Sequence, residues 1–230
     1  MLARLLPLDY RRRRLLKRAP AGALRDFLAT PFPDIRQDYR KVDYVALDLE
    51  TSGLDSRSEH ILSIGHVTIH AQRIHLDTAR HTLLQTPAPL QSDNVGIHRL
   101  TDDMLADGHA FAEALQALLP ELAGKVLLAH HAQIEIGFLR AACQQVFNSD
   151  WLMPVVDTQW LARQRLERRH AVYQPTALRL ASLRENHHLP RYPAHHALSD
   201  ALATAELFLA EMAGTDESSV TPLKKLLYPQ

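Results

Sequence analysis

In the stretch DYVALDLETSGLD, residues 43–55, an apolar run ends in two acids, Asp48 and Glu50, one residue apart. In a strand, residues i and i+2 project to the same face with Cα atoms about 6–7 Å apart. Both carboxylates then point the same way and can share a metal ion. They fall at the strand's C-terminal end, where open α/β sheets place ligand sites. Buried carboxylates are costly unless something pairs with them, and the nearest basic residues in sequence are Lys41 and Arg57. Gly53 lets the chain turn sharply beside the pair, and Thr51 and Ser52 offer hydroxyls and amides.

Two further stretches carry acids. In LLAHHAQIEIGFLR, 127–140, a strand ends at His130 and a helix starts soon after, with Glu135 in its first turns. An acid there also complements the helix dipole. In YPAHHALSDALATAELF, 192–208, His195 and Asp200 stand five residues apart, which on one continuous helix separates them by about 140°. They converge only if His195 precedes the helix and Asp200 lies inside it, and Pro193 favours that boundary. Four acids and a histidine on strand ends and helix starts describe a hard-oxygen site for Mg²⁺ or Mn²⁺. Two such ions about 3.5–4 Å apart form the usual clamp for in-line displacement at phosphorus. A histidine suits a general base for the attacking water.

The elements that must position these groups read as one α/β domain. Strands are expected at 43–49, 60–69 and 73–84, with no long helix between them, which predicts an antiparallel meander. Helical patterns follow near 101–119, 132–147, 158–168, 177–187 and 197–212. The apolar runs VLLAH (126–130) and MPVVD (153–157) fall between them as buried parallel strands. The sum is a mixed five-stranded sheet, a three-strand meander plus two parallel strands, flanked by helices. Residues 1–41 read as a basic, helical extension ahead of a domain at 42–213. The tail from Gly214 reads as a loosely held end.

Charge separates the extension from the domain. Residues 1–41 hold 11 Lys and Arg against four Asp and Glu, a balance of +7, and the remainder carries −7. Arg11 to Arg14 are either a solvated helix face or a contact for phosphate or a partner. An acidic core that binds phosphates needs metal ions or the extension to tolerate its substrate. The single cysteine, Cys143, reads as a core residue, excludes an intrachain disulfide framework and fits a reducing cytoplasm. No run approaches the roughly 18 apolar residues of a membrane span, and the N-terminus lacks a secretory signal's apolar core. Fourteen histidines invite a zinc reading, but no cysteine partner or regular ligand spacing accompanies them.

Taken jointly, ALDLETSG, AHHAQIEIGFL and HHALSDALATAELF resemble the three motifs of the DEDDh 3′–5′ exonucleases, a family that includes bacterial proofreading subunits. VGIHRLTDDML (95–105) and VVDTQWLAR (155–163) are lesser matches, and the resemblance covers roughly 42–212. It implies the ribonuclease H-like fold and hydrolysis of the terminal phosphodiester, releasing nucleoside 5′-monophosphates from a single-stranded or frayed 3′ end, DNA favoured. By the same resemblance Asp48 bridges two divalent cations, Mg²⁺ or Mn²⁺. Glu50 and Asp200 hold the tighter ion, and His195 deprotonates the water. Thr51, Leu54 and His98 line the terminal nucleotide's pocket. A DNA polymerase or another replication or repair protein is an implied partner.

One acid departs from the family pattern. Glu135 stands where Asp is usual, with His131 in place of Asn and Ile134 in place of an aromatic. Glutamate reaches about one methylene further, and Mg²⁺ sites are geometrically demanding. Either the helix is set back to fit Glu135, or the site prefers Mn²⁺, or catalysis is weakened and the chain is a 3′-end-binding scaffold.

Overall fold

The computed structural model describes residues 7–86, 100–193, 195–214 and 219–230. Five strands, β1 (Tyr44–Thr51), β2 (Ile61–His70), β3 (Arg73–Leu83), β4 (Val126–Ala129) and β5 (Val155–Asp157), form one sheet in the order β3-β2-β1-β4-β5. β1, β2 and β3 make the antiparallel meander, and β4 and β5 add to it in parallel, as the sequence predicts. The helices are α1 (Leu8–Leu16), α2 (Ala23–Ala29), α3 (Asp102–Ala106), α4 (Phe111–Leu122) and α5 (Gln133–Phe147). After β5 come α6 (Thr158–Arg168), α7 (Leu180–Asn186) and α8 (Ala197–Met212).

Alternation along β1 sorts the apolar residues into two layers. Tyr44 and Ala46 pack with Val67, Ile69 and the α8 residue Phe208. Val45, Leu47 and Leu49 pack on the other face with Ile64 and side chains from α2, α4 and α5. Burial on both faces explains why this strand reads as an almost continuous apolar run. Asp48 and Glu50 continue the parity of Tyr44 and Ala46, so they face the α8 layer.

α8 approaches the sheet over Gly65, the one glycine in β2. A Cβ on residue 65 would lie 2.1 Å from the Ala197 carbonyl carbon and the Leu198 nitrogen. Only a glycine there lets the helix start so close to the strands, the close-approach role that an interior strand glycine marks.

Three expected boundaries differ. The helix expected at 101–119 is two, because residues 107–110 bend to pair with the end of β3, His109 donating to the Leu83 carbonyl at 2.8 Å. The helix expected at 177–187 begins as a 3₁₀ turn, Pro175–Leu178, and restarts after an extended Arg179. The tail is not loosely held over its described portion. Leu223 is fully buried and Leu226 nearly so. The Leu223 amide bonds the Gln37 carbonyl, and the Tyr228 amide bonds the Val155 carbonyl on the outer edge of β5.

The N-terminal extension also belongs to the core. Leu24, Phe27 and Leu28 of α2 are buried in the same apolar cluster as α4. Of the four consecutive arginines, Arg12 is structural. Its guanidinium pairs with Asp9, bonds the Leu28 carbonyl and lies over the Phe32 ring. It thereby satisfies a carbonyl at the open C-terminal end of α2. Cys143 is buried within α5, and burial pushes its thiol up to about 12.

These contacts set a measurable cost. Leu223→Ala should lower the unfolding free energy by about 2–5 kcal/mol in urea titration, as for other fully buried leucines. A change within about 0.5 kcal/mol, the surface range, would mean that the tail does not pack in solution.

Candidate active site

Sheet register places the first two acids. Asp48 lies opposite Gly65 and Glu50 opposite Ser63, and the pairing shifts between Glu50 and Thr51. Such a bulge re-aims side chains at a strand end. Beyond it Thr51 donates its hydroxyl to the Gly53 carbonyl at 2.7 Å, and Ser52 donates its own to Glu59 at 2.6 Å. The closed turn holds Leu54 outward, 80% exposed beside the acids' strand.

α8 supplies the third acid and the histidine. His196 caps the helix, its Nδ1 accepting the Ser199 amide at 3.3 Å. His195 precedes the helix in a left-handed conformation, φ +65°, and Asp200 sits in the first turn. The two meet because the His195 amide donates to Asp200 Oδ2 at 2.8 Å. Carboxylate oxygens of Asp48, Glu50 and Asp200 lie within 4.8 Å of one another. Among the described residues no other three His, Cys, Asp or Glu side chains converge in this way.

Glu135 arrives from the opposite layer. It occupies the first turn of α5, is buried, and its Oε2 makes no hydrogen bond. Its charge acts on Asp48, yet its oxygens stand outside the set of three. The start of α5 is held by Asp157 at the end of β5. That carboxylate accepts the amides of His131 at 3.1 Å and Ala132 at 3.0 Å while capping α6 through Gln159 at 2.9 Å and Trp160 at 3.2 Å. One carboxylate therefore fixes two helix starts, a role outside the metal site. His131 is left-handed at φ +70°, a conformation in which Asn and His are enriched. His98 lies outside the described residues.

Among the described residues, the two bases nearest the acids in sequence are placed elsewhere. Arg57 turns to Asp55 at 3.1 Å, and Lys41 is exposed at the far end of β1. Burial raises the Asp48 carboxyl well above its usual range, and the charges of Glu135, Asp200 and Glu50 raise it further. Burial pushes Glu135 up to about 8, partly offset by its own amide, with Asp157 adding repulsion. Asp200 is raised by burial and by Glu50, against hydrogen bonds from the His195 and His196 amides. A set of converging carboxylate oxygens, with the buried and unbonded Glu135 Oε2 acting from beside it, fits hard divalent cations of the Mg²⁺ or Mn²⁺ kind. Asp48, Glu50 and Asp200 would hold them, with Glu135 next in reach.

His130, tempting as a ligand, has a different task. It is half-buried just past the end of β4, with Nδ1 2.8 Å from the Thr158 hydroxyl and Nε2 3.0 Å from the Leu178 carbonyl. Burial lowers it to about 4, so it is neutral at pH 7 and pins the 3₁₀ turn to the strand end. Sequence reasoning passed over two further residues that lie beneath or beside the start of α8. Gly65 was legible as a lone glycine in a strand pattern; His81, on β3, carried no signal.

The exonuclease family RNase_T matches residues 45–208. The chain is 31% identical over 179 residues to the DNA polymerase III subunit epsilon of Treponema pallidum, covering 76% of this chain and 79% of that one. It is 30% identical over 188 residues to the PolC-type DNA polymerase III of Thermotoga petrophila, 82% of this chain but 13% of that one. The match thus spans about an eighth of these PolC-type relatives. Among solved structures, the nuclease domain of 3′hExo, a DEDDh family member bound to rAMP, superposes with a TM-score of 0.64 at 13% identity, over 80% of this chain and 98% of that one.

The raised carboxyls make stability depend on pH. Glu135 titrates near 8 in the fold and near its ordinary value when unfolded, so stability falls as pH rises through that window. In EDTA the melting temperature should drop between pH 5 and pH 8, and Glu135→Gln should flatten the drop. Mn²⁺ should restore the native chain at pH 8 more than the variant. Equal slopes for both chains in scanning fluorimetry would assign the effect to other groups.

Proposed function

This chain belongs to the RNase_T exonuclease family, with a ribonuclease H-like fold of the DEDDh type, and we propose that it removes nucleotides one at a time from the 3′ end of a nucleic acid strand. The observation that carries this reading is the convergence of Asp48, Glu50 and Asp200 within 4.8 Å, with His195 hydrogen-bonded to the third acid from the turn before its helix.

Bound divalent cations would neutralise the acids and stabilise the negative charge that develops on the phosphate oxygens during displacement. The chain's own groups do the rest. Asp48, which feels the charges of the other three acids, would hold the cations together with Glu50 and Asp200. His195 takes the proton as water attacks phosphorus. The bond from phosphorus to the O3′ of the preceding nucleotide breaks, which releases a nucleoside 5′-monophosphate and leaves a new 3′ hydroxyl. The hydrogen bond from its amide to Asp200 Oδ2 fixes the backbone of His195. Leu54 offers an apolar face for the terminal base, and Thr51 shapes the turn beneath it. A terminal nucleotide seated against Leu54 has left its complementary strand, which supports a preference for single-stranded or frayed ends.

The relatives' names, DNA polymerase III subunit epsilon and PolC-type DNA polymerase III, support DNA as the favoured substrate and a polymerase as the partner class. The position of Glu135 outside the set of three supports the competing reading, a 3′-end-binding scaffold with weakened catalysis. Among the described residues no helix is long and apolar enough to cross a membrane.

A 5′-labelled single strand decides between the two. With Mg²⁺ or Mn²⁺ the ladder should shorten from the 3′ end, and EDTA should stop it. His195→Ala should slow it by about 10²–10⁴-fold, the usual worth of a positioned base. Leu54→Ala should raise KM more than it lowers kcat. Tight binding without shortening under either metal would transfer the conclusion to the scaffold.

A further inference from the structure

Three residues from three strands form one cross-strand row. Asp48 of β1 pairs with Gly65 of β2, and Gly65 pairs with His81 of β3. Residues directly opposite one another project to the same face of a sheet, here the face that α8 covers. The row presents a carboxylate, a gap and a flat ring. The gap receives the backbone of Ala197 and Leu198. The ring lies against His196, with centroids 4.3 Å apart and planes inclined by 37°.

We propose that His81 is a positioning residue, a platform that sets the height and tilt of the turn carrying His195. The inference rests on the exonuclease reading for its catalytic meaning and on geometry for the rest. His195 sits in a left-handed conformation at φ +65°, an arrangement that persists only when its surroundings over-determine it. Two of those surroundings are local: the His195 amide on Asp200 and the His196 ring on Ser199. His81 adds a contact to His196 from another strand. It acts through shape, because His81 Nε2 is enclosed and makes no hydrogen bond. His196 is thereby held between Ser199 of its own helix and a ring from the outermost strand. The backbone turn on its other side carries both His195 and, through the amide, one oxygen of Asp200. Loss of the platform would loosen the base and a metal-ligating carboxylate together.

The test compares His81→Ala with His81→Phe in the full chain. It reads kcat and KM on a labelled strand, melting temperature, and hydrogen exchange of the His195 amide by ¹⁵N NMR. His81→Ala should lower kcat by about 10–100-fold, the range for residues that support a metal site from behind, with KM within about twofold. The His195 amide should exchange about tenfold faster or more. His81→Phe keeps a flat ring on His196 and should restore kcat to within about threefold and exchange to the native rate.

Unchanged kcat and exchange in His81→Ala would overturn the proposal. So would a His81→Phe variant as impaired as alanine, because the imidazole nitrogens would then matter rather than the ring's shape. If the native chain shortens no strand, the exonuclease reading fails by itself. The exchange rates then decide the positioning claim alone: faster in alanine and native in phenylalanine upholds it, and any other pattern overturns it.

Discussion

The backbone of Ala197 and Leu198 occupies the space where a side chain at residue 65 would stand. That approach decides how far Asp200 is from Asp48, because α8 carries one acid and β1 the other. A helix raised by the width of a methyl group would carry Asp200 away from its partners and His195 with it. The small residues at the start of α8, Ala197 and Ala201, are fully buried and keep the approach open. Close packing of helix on sheet, not any bond among the acids, gathers the cluster.

The gathered acids repel one another, and the bases nearest them in sequence, Arg57 paired with Asp55 and Lys41 exposed at the far end of β1, do not reach the centre. Asp48 feels three other carboxylates, and Glu135 is buried with an unsatisfied oxygen. Bound protons or bound cations relieve such an arrangement. The rest of the molecule therefore has to hold the acids in place against their own repulsion. Asp157 does so for α5 by accepting amides from two helix starts, and His130 does so for the turn beside β4. These are polar groups spent on geometry at the margin of a site whose chemistry they do not enter.

Outside the family-matched residues 45–208, the chain completes the same core. α2 packs Leu24, Phe27 and Leu28 into the apolar cluster shared with α4, and the C-terminal segment closes the outer edge of β5. The two ends also meet each other. Arg40 pairs with Asp38, and Asp38 forms an antiparallel bridge with Pro222. A closed edge strand removes a row of unpaired backbone groups that would otherwise invite association. The basic character of the extension thus serves packing at Arg12 and leaves Arg14 on the exposed side.

Sequence by itself determined the strand and helix types, because apolar alternation reports which faces are buried, and it determined the acids, because their spacing is read along one element. Asp48 with Glu50, and His195 with Asp200, needed only the periods of strand and helix boundary. What tertiary structure decided was everything that depends on two elements meeting. The tail is polar enough to read as loose, yet Leu223 finds a buried site between β5 and the residues before β1. The helix expected at 101–119 broke because a strand edge at Leu83 captured His109. Glu135 was visible as an acid, but its distance from the other three depends on where α5 begins, which Asp157 sets from another strand. His81 had no periodic or chemical signal, since its meaning lies in a register across three strands that no local pattern encodes.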